Sequence, residues 1–196
     1  MIILDIEATG TNAIKHSILS LGAIDFARPE RRFYGECQLW DGAHIMDGAL
    51  AINGFSESEA RDIHKQTEAE LITQFMEWTQ ECAERTLVGQ SVYFDRAYVL
   101  AACERAGIQC DLPFRTLDTH TMCYMHMVKR SITPQIDSQH RRTDISLDVV
   151  LAYCGIPGEP RPHNSLTGAL CHGEVASRLL FGRRLFPEFS EFPLPW

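Results

Sequence analysis

The chain has 196 residues, with 18 Lys and Arg against 26 Asp and Glu for a formal charge of −8, and 45% hydrophobic against 22% charged residues. This is ordinary globular composition for one domain burying roughly 70% of its unfolded surface, and it excludes collagen, coiled coil and disorder. No apolar run nears the ~18 residues that cross a bilayer. The acidic balance argues against coating long nucleic acid by charge alone, but not against an enzyme that meets phosphates through bound metal ions.

Ile2-Ile3-Leu4 reads as a short buried strand, Ser17 to Phe26 as a second, and Phe33 to Leu39 as a half-buried third with period-two alternation. The chain enters that first strand with no basic leader or small-residue cleavage site, so the expected location is cytoplasmic. Ser56 with Glu59, and Thr67 with Glu70, form S/T-x-x-E capping boxes. Leu71, Ile72, Phe75, Met76, Trp78 and Cys82 then recur at helical spacing. Thr86-Leu87-Val88 is a fourth strand. Asp95 to Ala106 is a helix stopped by Gly107, and Phe114 to Leu117 is a fifth strand. Helices follow over Thr119–Val128, Ser146–Cys154 and Asn164–Phe181. The polar, basic stretch Lys129–Thr143 is expected to be a mobile loop. The organisation is a domain over residues 1–182 and a proline-rich tail over 183–196 without regular structure. This order predicts an α/β fold, a mixed five-stranded sheet with helices packed on its faces.

Seven cysteines include no C-x-x-C pair, which argues for reduced, mostly buried thiols rather than a zinc ribbon. His120, Cys123 and His126 read as ordinary helix residues. Asp5 and Glu7 stand two apart at the end of the first strand and therefore share a face. Two carboxylates so placed can bracket hard cations ~3.5–4 Å apart, the spacing of two-metal phosphoryl-transfer sites. Asp95 falls in the first turn of a helix, where an acid also complements the dipole. His163 lies just before the last helix, exposed enough to take a proton from water. There is no phosphate loop, dinucleotide turn or nucleophile elbow.

Together, Leu4-Asp5-Ile6-Glu7-Ala8-Thr9-Gly10, Ser20-Leu21-Gly22-Ala23-Ile24, Ile52-Asn53-Gly54-Phe55-Ser56, Val88 to Asp95, Leu117-Asp118-Thr119 and His163 to Ala169 resemble, in order, the motifs of the DEDDh 3′–5′ exonucleases. This DnaQ-like group includes polymerase proofreading subunits, oligoribonuclease and RNase T, and its fold is RNase H-like. The resemblance implies stepwise hydrolysis of nucleotides from the 3′ ends of DNA or RNA. It implies two Mg²⁺ or Mn²⁺ ions held by Asp5, Glu7 and Asp95, with His163 as the base. Ala8, Thr9, Ile52, Gln90 and Ser91 would contact substrate. The implied partner is nucleic acid, as single-stranded 3′ ends or short oligonucleotides, with no membrane; a homodimer, common in some relatives, stays open.

Gly168 departs from this pattern, because it stands where the group has its fourth metal-binding aspartate. His172, one turn on, is the only nearby ligand that the sequence offers. Two readings follow: an exonuclease one carboxylate short, its activity weak or absent, or an inactive module that binds nucleic-acid ends or a protein partner. On the first reading, Gly168→Asp is expected to raise activity.

Overall fold

The computed structural model describes residues 1–196. Three antiparallel strands, β1 (Ile2–Ala8), β2 (Ile18–Asp25) and β3 (Arg32–Glu36), form a meander. Two short parallel strands, β4 (Leu87–Gly89) and β5 (Thr116–Asp118), extend it on the other side of β1. The order β3-β2-β1-β4-β5 is the mixed five-stranded sheet expected. Helices α1 (Ala49–Asn53), α2 (Glu57–Ala60) and α3 (Glu68–Gln80) lie between β3 and β4, and α4 (Tyr93–Ala106) between β4 and β5. Helices α5 (Thr119–Lys129), α6 (Leu147–Tyr153) and α7 (Ser165–Phe181) follow.

The sheet is covered on both faces. On β1, Ile2, Leu4, Ile6 and Ala8 join a core with Leu71 and Phe75 of α3 and Val99 and Cys103 of α4. Ile3 faces the opposite way, into a second core with Cys123 of α5, Val150 of α6 and Val175 of α7. Because strand side chains alternate, Asp5 and Glu7 share Ile3's face and point toward α7. Sequence alternation leads one to expect them in solvent; covering the second face places them in a crevice instead.

α7 reaches the sheet through a glycine. A Cβ at Gly22 of β2 would run into the backbone of Ser165 and Leu166, closer than carbon can approach. Ser165 Oγ meets Ser20 Oγ at 2.9 Å beside this contact. Asn164 caps the helix, accepting from the Leu166 and Thr167 amides. Both expected capping boxes, at Ser56–Glu59 and Thr67–Glu70, are present.

Three expectations change. β3 ends at Glu36 rather than Leu39, because the Gln38 and Leu39 amides turn to the carbonyls of Gln66 and Ala60. The stretch expected to be a mobile loop contains a small hairpin, β6 (Ile136–Asp137) with β7 (Arg142–Thr143), whose turn is closed by Asp137 Oδ1 accepting two backbone amides. The tail holds a 3₁₀ turn, Pro187–Phe189, and buries Phe186 and Phe189 against α6 and α7. Arg178 of α7 fastens it: fully buried, it donates to the carbonyls of Cys154, Phe192 and Pro193 while its Nε meets Glu174 Oε1 at 2.7 Å.

Removing one partner of a buried, hydrogen-bonded ion pair costs about 3–5 kcal/mol. Arg178→Ala should lower unfolding stability by about that amount in urea titrations. A loss below about 1 kcal/mol would mean that the tail is not held through this residue.

Candidate active site

Asp5 and Glu7 lie at the sheet centre because β1 is the central strand, flanked by β2 and β4. The third carboxylate comes from a helix. β4 ends at Gly89, so the β1 backbone beyond Leu4 has no strand partner on that edge. The Ile6 amide donates instead to Asp95 Oδ1 at 2.9 Å, which fixes the Asp95 side chain at the mouth of α4. Asp95 therefore seals a sheet edge as well as presenting a carboxylate.

α7 supplies the other wall. His172, buried, has its Nε2 3.3 Å from Asp5 Oδ1. His163 precedes α7 in a loop held by its own amide donating to the Ile52 carbonyl at 3.2 Å. Its Nδ1 lies 3.8 Å from an oxygen of Glu159. Glu159, which sequence reasoning missed, enters from the α6–α7 loop with its side chain 6% exposed, and its Oε1 has no hydrogen-bond partner. One ligand atom each from Glu7, Glu159 and His163 lies within 4.8 Å of the others. Nothing periodic marks Glu159 in Gly158-Glu159-Pro160-Arg161-Pro162; an acid four residues before His163 was the only signal.

Gly168 faces this cluster. A Cβ there would overlap Asp5 Oδ2, stand 2.7 Å from Asp5 Cγ and lie 3.3 Å from Glu159 Oε1. The space expected to welcome an aspartate is thus already filled by two carboxylates, and Gly168→Asp would first have to displace them.

The electrostatics are severe. Burial, then Asp5, then Glu159 push Glu7 up to about 8. Burial and the Asp5 charge hold Asp95 well above the usual carboxylate range. Burial and Asp5 raise Glu159, against a smaller opposing effect of His163 and His172. The ion pairs that reach these carboxylates come from histidine alone, His172 to Asp5 and His163 to Glu159. A desolvated cluster of acids without lysine or arginine, with one bare carboxylate oxygen inside it, matches the hard oxygen donors that Mg²⁺ or Mn²⁺ takes.

The expected substrate contacts divide. Ile52 is 52% exposed and, with Ala8, Met46, Asn53 and Phe94, lines a groove of about 170 Å³ beside Glu7. Ser91, held at φ 52°, opens on a hollow of about 490 Å³ shared with His120, Arg142 and Ser146. Gln90 lines the same hollow, but its amide donates to the Ile145 carbonyl and accepts from Thr119 Oγ1. Thr9 is fully buried; its amide donates to the Ser17 carbonyl and its hydroxyl joins the His44 carbonyl to the Ser17 amide. Thr9 and Gln90 thus shape the walls with groups that are already engaged. Elsewhere, His120 and His126 hydrogen-bond to Thr143 and Tyr153 and Cys123 is buried in the core, as ordinary helix residues would be.

Solved structures share this architecture. The nuclease domain of 3′hExo, a DEDDh family member bound to rAMP, superposes with a TM-score of 0.69 at 15% identity, covering 94% of this chain and 93% of that one. Escherichia coli exonuclease I in complex with a dA16 oligonucleotide gives 0.70 at 16% identity, covering 93% of this chain and 40% of that one. The fold is thus RNase H-like, of the exonuclease kind.

The chain belongs to the exonuclease family typified by RNase T, whose sequence profile it matches over residues 2–170. Ribonuclease T of Haemophilus influenzae (strain PittEE) is 26% identical over 141 residues, 62% of this chain and 59% of that protein. Ribonuclease T of Escherichia coli (strain K12) is 25% identical over 133 residues, 60% of this chain and 61% of that protein. The match therefore spans about three fifths of these curated relatives.

A carboxyl group raised by the fold stabilises it below its unfolded value and loses that contribution as pH climbs through the folded one. For Glu7 the window runs from 4.5 to about 8. In EDTA, the melting temperature should therefore fall between pH 5.5 and pH 8.5, and Glu7→Gln should flatten the fall. Equal slopes in the two proteins would show that Glu7 is not the group responsible.

Proposed function

We propose that this chain is a metal-dependent 3′–5′ exonuclease that removes nucleotides from single-stranded ends of DNA or RNA. The observation that carries this reading is the nearness of Asp5, Glu7 and Asp95, close enough for the first two to raise the third, with His163 beside Glu7 and Glu159. Family membership and the oligonucleotide bound by exonuclease I support it.

In this reading, Asp5, Glu7 and Asp95 hold two divalent cations, Mg²⁺ or Mn²⁺. Bound there, such ions lower the pKa of a water nucleophile and stabilise the departing 3′ oxygen. His163 takes the proton: its Nδ1 side faces Glu159, which leaves Nε2 for a water arriving from solvent. The groove beside Ile52 and Phe94 takes the terminal base by apolar contact, with room for one base rather than a continuing strand. The hollow at Ser91 and Arg142 receives the preceding sugar-phosphates.

A module that holds nucleic-acid ends without cutting them is the second reading, favoured by Gly168, which puts no carboxylate at that position of α7.

The test is digestion of 5′-labelled single-stranded DNA and RNA in Mg²⁺ and in Mn²⁺. A ladder shortening from the 3′ end is expected, and the two substrates identify the preferred nucleic acid. Asp5→Asn should abolish the ladder, and His163→Ala should lower kcat by about 10²–10⁴. Internal cuts, or cleavage that survives Asp5→Asn, would refute the proposal. Retained oligonucleotide binding with no shortening in either metal would select the second reading.

A further inference from the structure

We infer that Glu159 supplies the carboxylate missing at Gly168, so that the metal site draws its fourth acid from the α6–α7 loop instead of from α7. This rests on the metal-dependent reading above and extends it to a residue outside every motif that the sequence resemblance touches.

Three observations converge on Glu159. The first is location. The point where a side chain at position 168 would begin lies 3.3 Å from Glu159 Oε1 and 2.7 Å from Asp5 Cγ. Without a side chain at 168, Asp5 and Glu159 together occupy the space in front of the helix, the glutamate entering from the loop side. Glutamate is one methylene longer than aspartate, which helps a loop position reach a spot that a helix position would otherwise serve at shorter range.

The second is desolvation. The Glu159 side chain is 6% exposed and Oε1 has no hydrogen-bond partner. An ionised carboxylate left in this state is among the most costly arrangements in a protein interior unless a cation pairs with it. Among the ion pairs, only His163 reaches Glu159, at 3.8 Å and through the other oxygen. That contact is beyond hydrogen-bonding distance, and it leaves Oε1 directed into the acids.

The third is grouping. Carboxylate oxygens of Glu7 and Glu159 lie within 4.8 Å of each other, close enough to share one ion, with a ring nitrogen of His163 at the same range. Prolines at 160 and 162 restrict the loop that carries Glu159, and the Ile52 carbonyl fixes its far end at the His163 amide. The carboxylate is therefore presented by a braced segment. Its two oxygens divide the work, Oε2 toward the histidine and Oε1 toward the metal side.

A role confined to orienting His163 makes a different prediction. In that case Glu159 would affect turnover and leave cation affinity untouched.

The experiment titrates Mn²⁺ into the intact protein by calorimetry and follows the Mn²⁺-induced rise in melting temperature. It compares the wild type with Glu159→Gln, which keeps shape and polarity, and with Glu159→Ala as the second variant should glutamine fail to fold. The expected result is at least a tenfold weaker Mn²⁺ dissociation constant and a smaller thermal shift in the variant, with its melting temperature in EDTA no lower than that of the wild type. Wild-type Mn²⁺ affinity and stoichiometry in the variant would overturn the assignment while leaving the exonuclease reading standing, and slower digestion alongside them would mark Glu159 as a positioning residue for His163. A wild type that binds no Mn²⁺ and digests nothing would refute both.

Discussion

Helix α7 meets strand β2 almost backbone to backbone, because Gly22 offers no side chain at the crossing. The Ser20–Ser165 hydrogen bond holds the same point. This close approach sets the depth of the crevice. It carries His163 to the rim, brings Gly168 over Asp5 and sends His172 beneath it. A methyl group at position 22 would lift the helix and open every one of these distances, since packed interiors shift rather than compress. The alanine-sized defect would lie on the far side of the strand ladder from Leu21, yet its effect would be felt at the carboxylates.

A crevice of this kind concentrates negative charge in low dielectric, where like charges repel far more strongly than in water. The fold tolerates the acids partly by giving them structural duties. Asp95 accepts the Ile6 amide that β4 is too short to reach, and Asp5 Oδ1 lies 3.3 Å from His172 Nε2. Glu159 has no such duty on Oε1. The same burial that makes the cluster unfavourable when bare gathers the hard oxygen donors that a compact divalent cation takes.

The surrounding walls show how a site borrows rigidity. Thr9 and Gln90 sit in motif positions, and the family resemblance implies that both contact substrate. Their polar groups are consumed in holding neighbouring segments: Thr9 joins β1 to Ser17 and His44, and Gln90 joins β4 to α5 and to Ile145. Ile52 and Ser91, by contrast, are exposed as a contact surface must be. A motif identifies where the backbone approaches a site. Whether a given side chain points into it depends on which hydrogen bonds the chain needs locally.

Much was legible from the sequence by itself, because local rules govern it. Period-two alternation placed Asp5 and Glu7 on one face, capping boxes located the starts of α2 and α3, and helical spacing defined α3. Gly107 marked the end of α4. The tertiary structure alone decided the rest. It turned the acid face from solvent into a crevice, folded the proline-rich tail onto Arg178, and brought Glu159 through an aperiodic loop against Gly168. Local patterns report the repeat of one segment. The meeting of residues nine positions and a loop apart is set by how helices pack across a sheet, a long-range balance of burial against charge that no window of sequence records.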